Sequence, residues 1–238
     1  MFYHGDKCPS GVYRLCPKWK KVNEMKKMEL FGPHHIDVLS LLFGTLLGNS
    51  YGEKRAGKCR IVLQQENSNQ EYLFGVHNFL SSRGYCNIEK PKQEKRIGKK
   101  NKVRFFSRIR TYSFASFNWL QESFYQNKLK CIPRKELLEQ YLTPLALAVW
   151  ISDDGTAASG GGVSIATNCF SKEDILMVCE VLNDKYGLLS NPQKTGFSKK
   201  NRKQQYSLYI WKRSVPILIT ILSPLMVPSM RRKLHVKA

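Results

Sequence analysis

A chain of 238 residues is long enough for one large domain or for two of about 100 residues each, with real cores. Its composition, 42% hydrophobic and 11% aromatic, is that of a folded globular protein, and 39 Lys and Arg against 18 Asp and Glu leave a formal charge of +21. That excess points to a polyanionic partner, nucleic acid before anionic membrane, and no apolar run reaches the roughly 18–20 residues needed to span a bilayer.

In chain order, residues 1–33 hold "PKWKK" and read as a basic extension, either an arm along a nucleic-acid backbone or a disordered lead-in. The opening stretch has no apolar h-region and is not Ser- and Arg-rich, so neither a secretory signal nor a transit peptide is expected. "VLSLLFGTLLGNS" (38–50) predicts an apolar helix that ends at Gly48, Asn49 and Ser50, and two short strands are expected around 51–65. Ser68, with Glu71 three residues on and apolar positions from Leu73 to Leu80, predicts an N-capped helix closed by Gly84. Residues 83–110 then carry eleven Lys and Arg against two acids, Glu89 and Glu94. In "VRFFSRIRTY" (103–112), alternation sets Arg104, Arg108, Arg110 and Tyr112 on one face and Val103, Phe105 and Ile109 on the other, against the helices.

The second half repeats this order. "PLALAVWISDDG" (144–155) predicts another apolar helix, strands are expected around 156–168, and Ser171 with Asp174 opens a capped helix that closes at Gly187. Residues 190–213 hold seven Lys and Arg and no acid, and in "QYSLYIW" (205–211) Tyr206, Leu208 and Ile210 are expected inward. "VPILITILSPLMV" (215–227) reads as a core helix. In each capped helix Ser and Gly stand 16 apart, and Asn49 and Asp154 stand 105 apart. Each half therefore reads helix–strand–strand–helix–strand–strand–helix, an α+β fold of two related units over 34–133 and 134–238.

A twisted sheet with Arg, Lys, Gln and Tyr on one face suits a DNA groove, because those side chains neutralise phosphates and reach base edges. The candidates are Lys54, Arg55, Arg60, Gln64, Arg104, Arg108 and Arg110 in the first half, and Lys194, Lys199, Arg202, Gln205 and Tyr209 in the second. The seven cysteines (8, 16, 59, 86, 131, 169 and 179) form no CxxC pair, so they are read mostly as buried thiols in a reducing compartment.

Asp153 and Asp154 are the sequence's one DD pair, and they stand where an apolar helix ends. Taken alone they serve equally as turn or capping residues. The repeat adds a second reading. Gly44 and Gly48 stand four apart, as do Ala148 and Ser152, so small-residue stripes let the two apolar helices pack closely. Their ends then bring Asp154 near Asn49 beneath two basic sheets, as oxygen ligands for a hard divalent cation, with Mg²⁺ the natural occupant.

"LFGTLLGNS" and "LAVWISDDG", at helix ends in tandem halves, resemble the paired motifs of LAGLIDADG homing endonucleases, and "EQYLTPLALAVWISDDG" and "LMVPSMRRKL" are similar to the single-chain, two-repeat organellar branch. The resemblance implies two pseudo-symmetric αββαββα units that form an antiparallel β saddle over the DNA major groove, with the motif helices at the interface. It implies a functional monomer that hydrolyses both strands of one long asymmetric duplex with Mg²⁺ and leaves short 3′ overhangs; Ca²⁺ would fill the site without supporting cleavage. Carried over residue by residue, the eighth motif positions, which hold metal, are Asn49 and Asp154. Gly48 and Asp153 would lend carbonyls, and Lys130 and Lys233 would polarise water or stabilise phosphorane charge. An organelle, mitochondrion or chloroplast, is the implied location. Asn49 departs from the family's acidic residue and brings no charge. Three readings follow: a DNA endonuclease, an intron RNA maturase on the same scaffold with structured RNA as its partner, and a non-catalytic DNA-binding protein.

Overall fold

The structure, a computed structural model, describes residues 34–98, 101–198 and 203–236, so the basic extension over 1–33, Lys199 and Arg202 lie outside the described residues. The first unit opens with α1 (Ile36–Leu47), whose N-cap His35 side chain accepts from the Asp37 amide. The hairpin β1 (Tyr51–Arg55) and β2 (Lys58–Glu66) follows, then α2 (Gln70–Ser81), the pair β3 (Gln93–Ile97) and β4 (Val103–Arg110), and α3 (Asn118–Phe124). A minimal hairpin, β5 (Tyr125–Gln126) and β6 (Leu129–Lys130), and α4 (Lys135–Tyr141) lead into the second unit. That unit runs α5 (Pro144–Asp154), β7 (Gly155–Ala157), β8 (Val163–Ala166), α6 (Lys172–Tyr186), β9 (Ser190–Phe197), β10 (Gln204–Ile210), α7 (Val215–Leu222) and a closing 3-10 turn, Pro228–Leu234.

Both four-stranded sheets are antiparallel with the same order, β1-β2-β4-β3 and β7-β8-β10-β9. The expected pseudo-symmetry is thus present in pairing as well as in chain order. Inward residues of both sheets and the buried faces of α1 and α5 join one hydrophobic cluster that runs through both units. At the centre, α1 and α5 lie against each other. A Cβ built on Gly44 would run into the Ala146 carbonyl oxygen, and one on Gly48 would stand 2.6 Å from the Asp153 Cβ and Oδ2. The glycine stripe of α1 therefore does what its spacing predicts, but the residues it meets on α5 are Ala146 and Asp153, where Ala148 and Ser152 were expected.

Several local expectations change. Ser171 forms a full capping box with Asp174, and Gly187 closes α6 in the left-handed region at φ 65°. Ser68 forms no such cap: a 3-10 turn, Asn67–Asn69, leads straight from β2 into α2, and no side-chain cap bond is made. Backbone bonding within that tight turn replaces the side-chain cap. Gly84, at φ 77°, still ends the α2 region. Val103 and Phe105, expected inward, are 49% and 47% exposed, because the outer part of the β3–β4 hairpin extends beyond the packed layer while Phe106, Ser107 and Ile109 are buried. The helix expected over 215–227 stops at Leu222 and continues as a 3-10 turn, Ser223–Leu225, at Pro224. Of the described cysteines, all five are free; Cys59, Cys86 and Cys179 are buried, Cys131 is half-buried and Cys169 is exposed.

Candidate active site and nucleic-acid interface

The C-terminal ends of α1 and α5 meet as the sequence predicts. Asn49 is exposed, and its side chain hydrogen-bonds the Asp154 carboxylate. Its backbone amide donates to Asp153 Oδ2 across the interface at 3.4 Å. Two lysines from elsewhere finish the helix ends symmetrically. Lys130, returned by the β5–β6 hairpin through left-handed Asn127 and Lys128, donates to the Gly48 carbonyl at 2.5 Å and to Ser50 at 3.4 Å. Lys233, from the closing 3-10 turn, donates to the carbonyls of Ser152 at 2.6 Å and Asp153 at 3.2 Å. A cation on the last carbonyls of a helix satisfies orphan acceptors and complements the helix dipole. Burial lowers the pKa of both lysines.

The two aspartates have different surroundings. Asp153 reaches into the first unit, where Gln65 Nε2 donates to its Oδ1 at 2.6 Å and the Tyr72 hydroxyl hydrogen-bonds it. Asn69 in turn holds the Gln65 amide oxygen at 3.3 Å. Burial, and next the neighbouring Asp154, push the Asp153 carboxyl up to about 7. Asp154 is pushed up to about 6 by burial, against the pull of Lys130, Lys233 and Asn49. Gln65 and Tyr72 were not anticipated. The available signal was a lone amide at an inward position of β2, in line with Cys59, Ile61 and Leu63.

The donors at the helix ends are the Asp154 carboxylate, the Asn49 amide oxygen and the carbonyls of Gly48 and Asp153. An all-oxygen set suits a hard divalent cation. Among the described residues no three His, Cys, Asp or Glu side chains gather into a metal cage.

Strand register decides which candidate residues share the face away from the helices. Glu53 pairs with Arg60, Arg55 with Lys58, Val62 with Arg110 and Gln64 with Arg108, so Arg55, Arg60, Gln64, Arg108 and Arg110 lie together, and Arg104 continues the same face of β4. Gln205 and Tyr209 share the equivalent face of β10, and the Tyr209 ring rests on the turn at Gly160 and Gly162. Lys54 is different: it pairs with the core residue Cys59 and donates to Glu122 on α3 at 2.8 Å. Lys194 pairs with inward Tyr206 beyond a bulge between Gln205 and Tyr206. Both point to the helix side, so neither joins the proposed nucleic-acid face.

The profile of the LAGLIDADG DNA endonuclease family matches residues 39–218. Cytochrome b mRNA maturase bI2 of Saccharomyces cerevisiae is 40% identical over 212 residues, 85% of this chain and 48% of that protein, so the chain spans about half the length of this relative. The Debaryomyces hansenii protein of the same name is 35% identical over 225 residues, covering 94% of this chain and 81% of its own. Intron-encoded endonuclease ai4 of Dictyostelium discoideum is 35% identical over 165 residues, 68% of this chain and 99% of that protein. In fold, the structure of the homing endonuclease I-WcaI bound to its DNA recognition sequence matches with a TM-score of 0.76 at 22% identity, covering 94% of this chain and 96% of that one. Both motifs, residues 42–50 and 147–155, lie within the span the profile matches, and the chain belongs to the LAGLIDADG DNA endonuclease family.

Proposed function

We propose that this chain is a site-specific DNA endonuclease that works as a monomer in an organelle, most simply the mitochondrion, and hydrolyses phosphodiesters with Mg²⁺ at Asp154. The observation that carries this reading is the Asp154 carboxylate, half-buried between Lys130 and Lys233 at the junction of the two units. The units 34–133 and 134–238 each contribute one sheet to the duplex and one helix end to the site. The sheets bind and orient the duplex. Asp154 would hold the metal, and Asn49, its NH₂ engaged with Asp154, would offer its amide oxygen. Lys130 and Lys233 are anchored on backbone carbonyls, which keeps their ammonium groups beside the reacting phosphate. When bound, the cation would supply Lewis-acid charge and a water of lowered pKa.

Asn49 makes the two helix ends unequal, so the two strands are cut at unequal rates. The same residue favours a second reading, an intron RNA maturase on this scaffold, in line with the names of two of the relatives. The deciding experiment offers the protein strand-labelled duplex spanning the exon junction that its intron interrupts, with Mg²⁺ and then with Ca²⁺. Cutting with Mg²⁺ alone, faster on one strand, supports the endonuclease. Tight duplex binding without any cut, alongside stimulated splicing of the intron RNA, selects the maturase.

A further inference from the structure

A face meant for a polyanion has little use for carboxylates, yet the first sheet carries three. Register places Glu53, Glu66 and Glu94 on the same side as Arg60, Arg104 and Arg108. Each acid meets an arginine there. Glu53 Oε2 lies 2.5 Å from Arg60 Nη2, Glu66 Oε1 lies 2.7 Å from Arg104 Nη1, and Glu94 Oε2 lies 3.9 Å from Arg108 Nη1. Arg108 is the most constrained of the three. Its Nε and Nη2 donate to Gln64 Oε1 at 3.3 and 2.9 Å, and its guanidinium stacks 5.3 Å from the centre of the Phe106 ring. Arg96 approaches the same ring at 5.9 Å. The second sheet's face is of another kind: Ser164, Asn191, Gln193, Gln205, Ser207 and Tyr209 share it, and all are neutral.

Half-exposed ion pairs of this sort add little to stability, so stability does not explain three of them on one face. Their effect on a duplex is larger. A carboxylate repels phosphates, and by holding an arginine fork it stops that arginine from swinging onto the backbone. A fork held in the groove meets guanine O6 and N7, and a free carboxylate oxygen accepts from cytosine N4. We propose that Glu53, Glu66 and Glu94 are specificity-determining residues: they convert the first sheet from a phosphate-binding surface into a base-reading one. This inference rests on the reading of the saddle as a DNA-binding face.

The test compares the full chain with the variant Glu53→Gln, Glu66→Gln, Glu94→Gln. Each protein selects from a pool of randomised DNA duplexes, and each is titrated with an unrelated duplex at several salt concentrations. The full chain is expected to recover a motif with defined base pairs in both halves. The variant is expected to lose definition in the half under the first sheet and keep it in the other. Its affinity for unrelated duplex should rise about threefold per glutamate, from the repulsion removed, and its salt dependence should steepen. An unchanged motif together with unchanged affinity for unrelated duplex overturns the inference and leaves the DNA reading intact. Failure of the full chain to recover any motif removes both.

Discussion

The two units place their charge in opposite positions. The first carries arginines and glutamates on its sheet and a neutral helix end, Gly48-Asn49-Ser50. The second carries amides and hydroxyls on its sheet and two carboxylates at its helix end. Element order, strand order and lysine anchoring remain matched, so the charge difference lies in side chains over a shared frame. In a symmetric site both halves must read and react alike. Here each half is free to specialise, and under the proposed function the first would serve recognition of the duplex and the second would hold the cation.

The largest test of that division is Asp154→Asn. It removes the one carboxylate left to the cation, worth several kcal/mol of charge stabilisation, so cleavage should fall on the order of 10³-fold. Binding of the selected duplex should change little. Strand-labelled cleavage assays measure the first and a titration in Ca²⁺ the second; an undiminished cutting rate would place the chemistry elsewhere.

The pH response of the free protein comes next. Both carboxyls are raised above the ordinary value of 3.8, Asp153 to about 7 and Asp154 to about 6. The folded chain therefore keeps protons that the unfolded chain has released. Stability from this source is full below about pH 4 and is lost as pH rises through 6 and then 7, on the order of a few kcal/mol for the coupled pair. His34, whose pKa burial lowers, acts in the opposite sense. The difference between the full chain and Asp153→Asn in denaturation midpoint isolates the carboxylates: the variant's profile should be flatter between pH 4 and 7. Parallel profiles would mean that Asp153 is already compensated.

Packing at the crossing is tested by Gly44→Ala. Its new Cβ meets the backbone of Ala146, which cannot rotate aside, so a loss of about 3 kcal/mol in a denaturant titration is expected. Gly48→Ala should cost less, because its obstacle is the Asp153 side chain. The smallest effect is Asn49→Asp, which should equalise the helix ends and raise the slower strand's cutting about tenfold, or about 1.4 kcal/mol. Without a cation the same change adds a third carboxylate beside Asp153 and Asp154 and should lower the melting temperature.

Much of this frame is legible in the residues. The two apolar helices, the capped helix opened by Ser171 and the repeated order of elements follow from periodicity and spacing, which are local properties of the chain, while Lys130 and Lys233 come from the family resemblance. Facing of individual strand residues is a property of pairing. Lys54 falls on the helix side because it pairs with Cys59, which is fixed only when β1 meets β2, and Lys194 because a bulge shifts the β9 register by one residue. Phe105 obeys its alternation but has no helix beneath it, a fact that depends on tertiary layout. The Gln65–Asp153 contact joins residues 88 apart, and only the helix crossing brings them together.

That contact has a consequence for ancestry and for engineering. A symmetric pair made from two copies of the first unit would meet across facing Gly48 residues with a hollow between them and no acid at either end. A pair made from two second units would drive two Asp153 side chains into the same buried space, like charge against like charge. Each half now fits the other better than it fits itself. Swapping one unit for that of a relative will therefore succeed only where the incoming half brings its matching partner for Asp153.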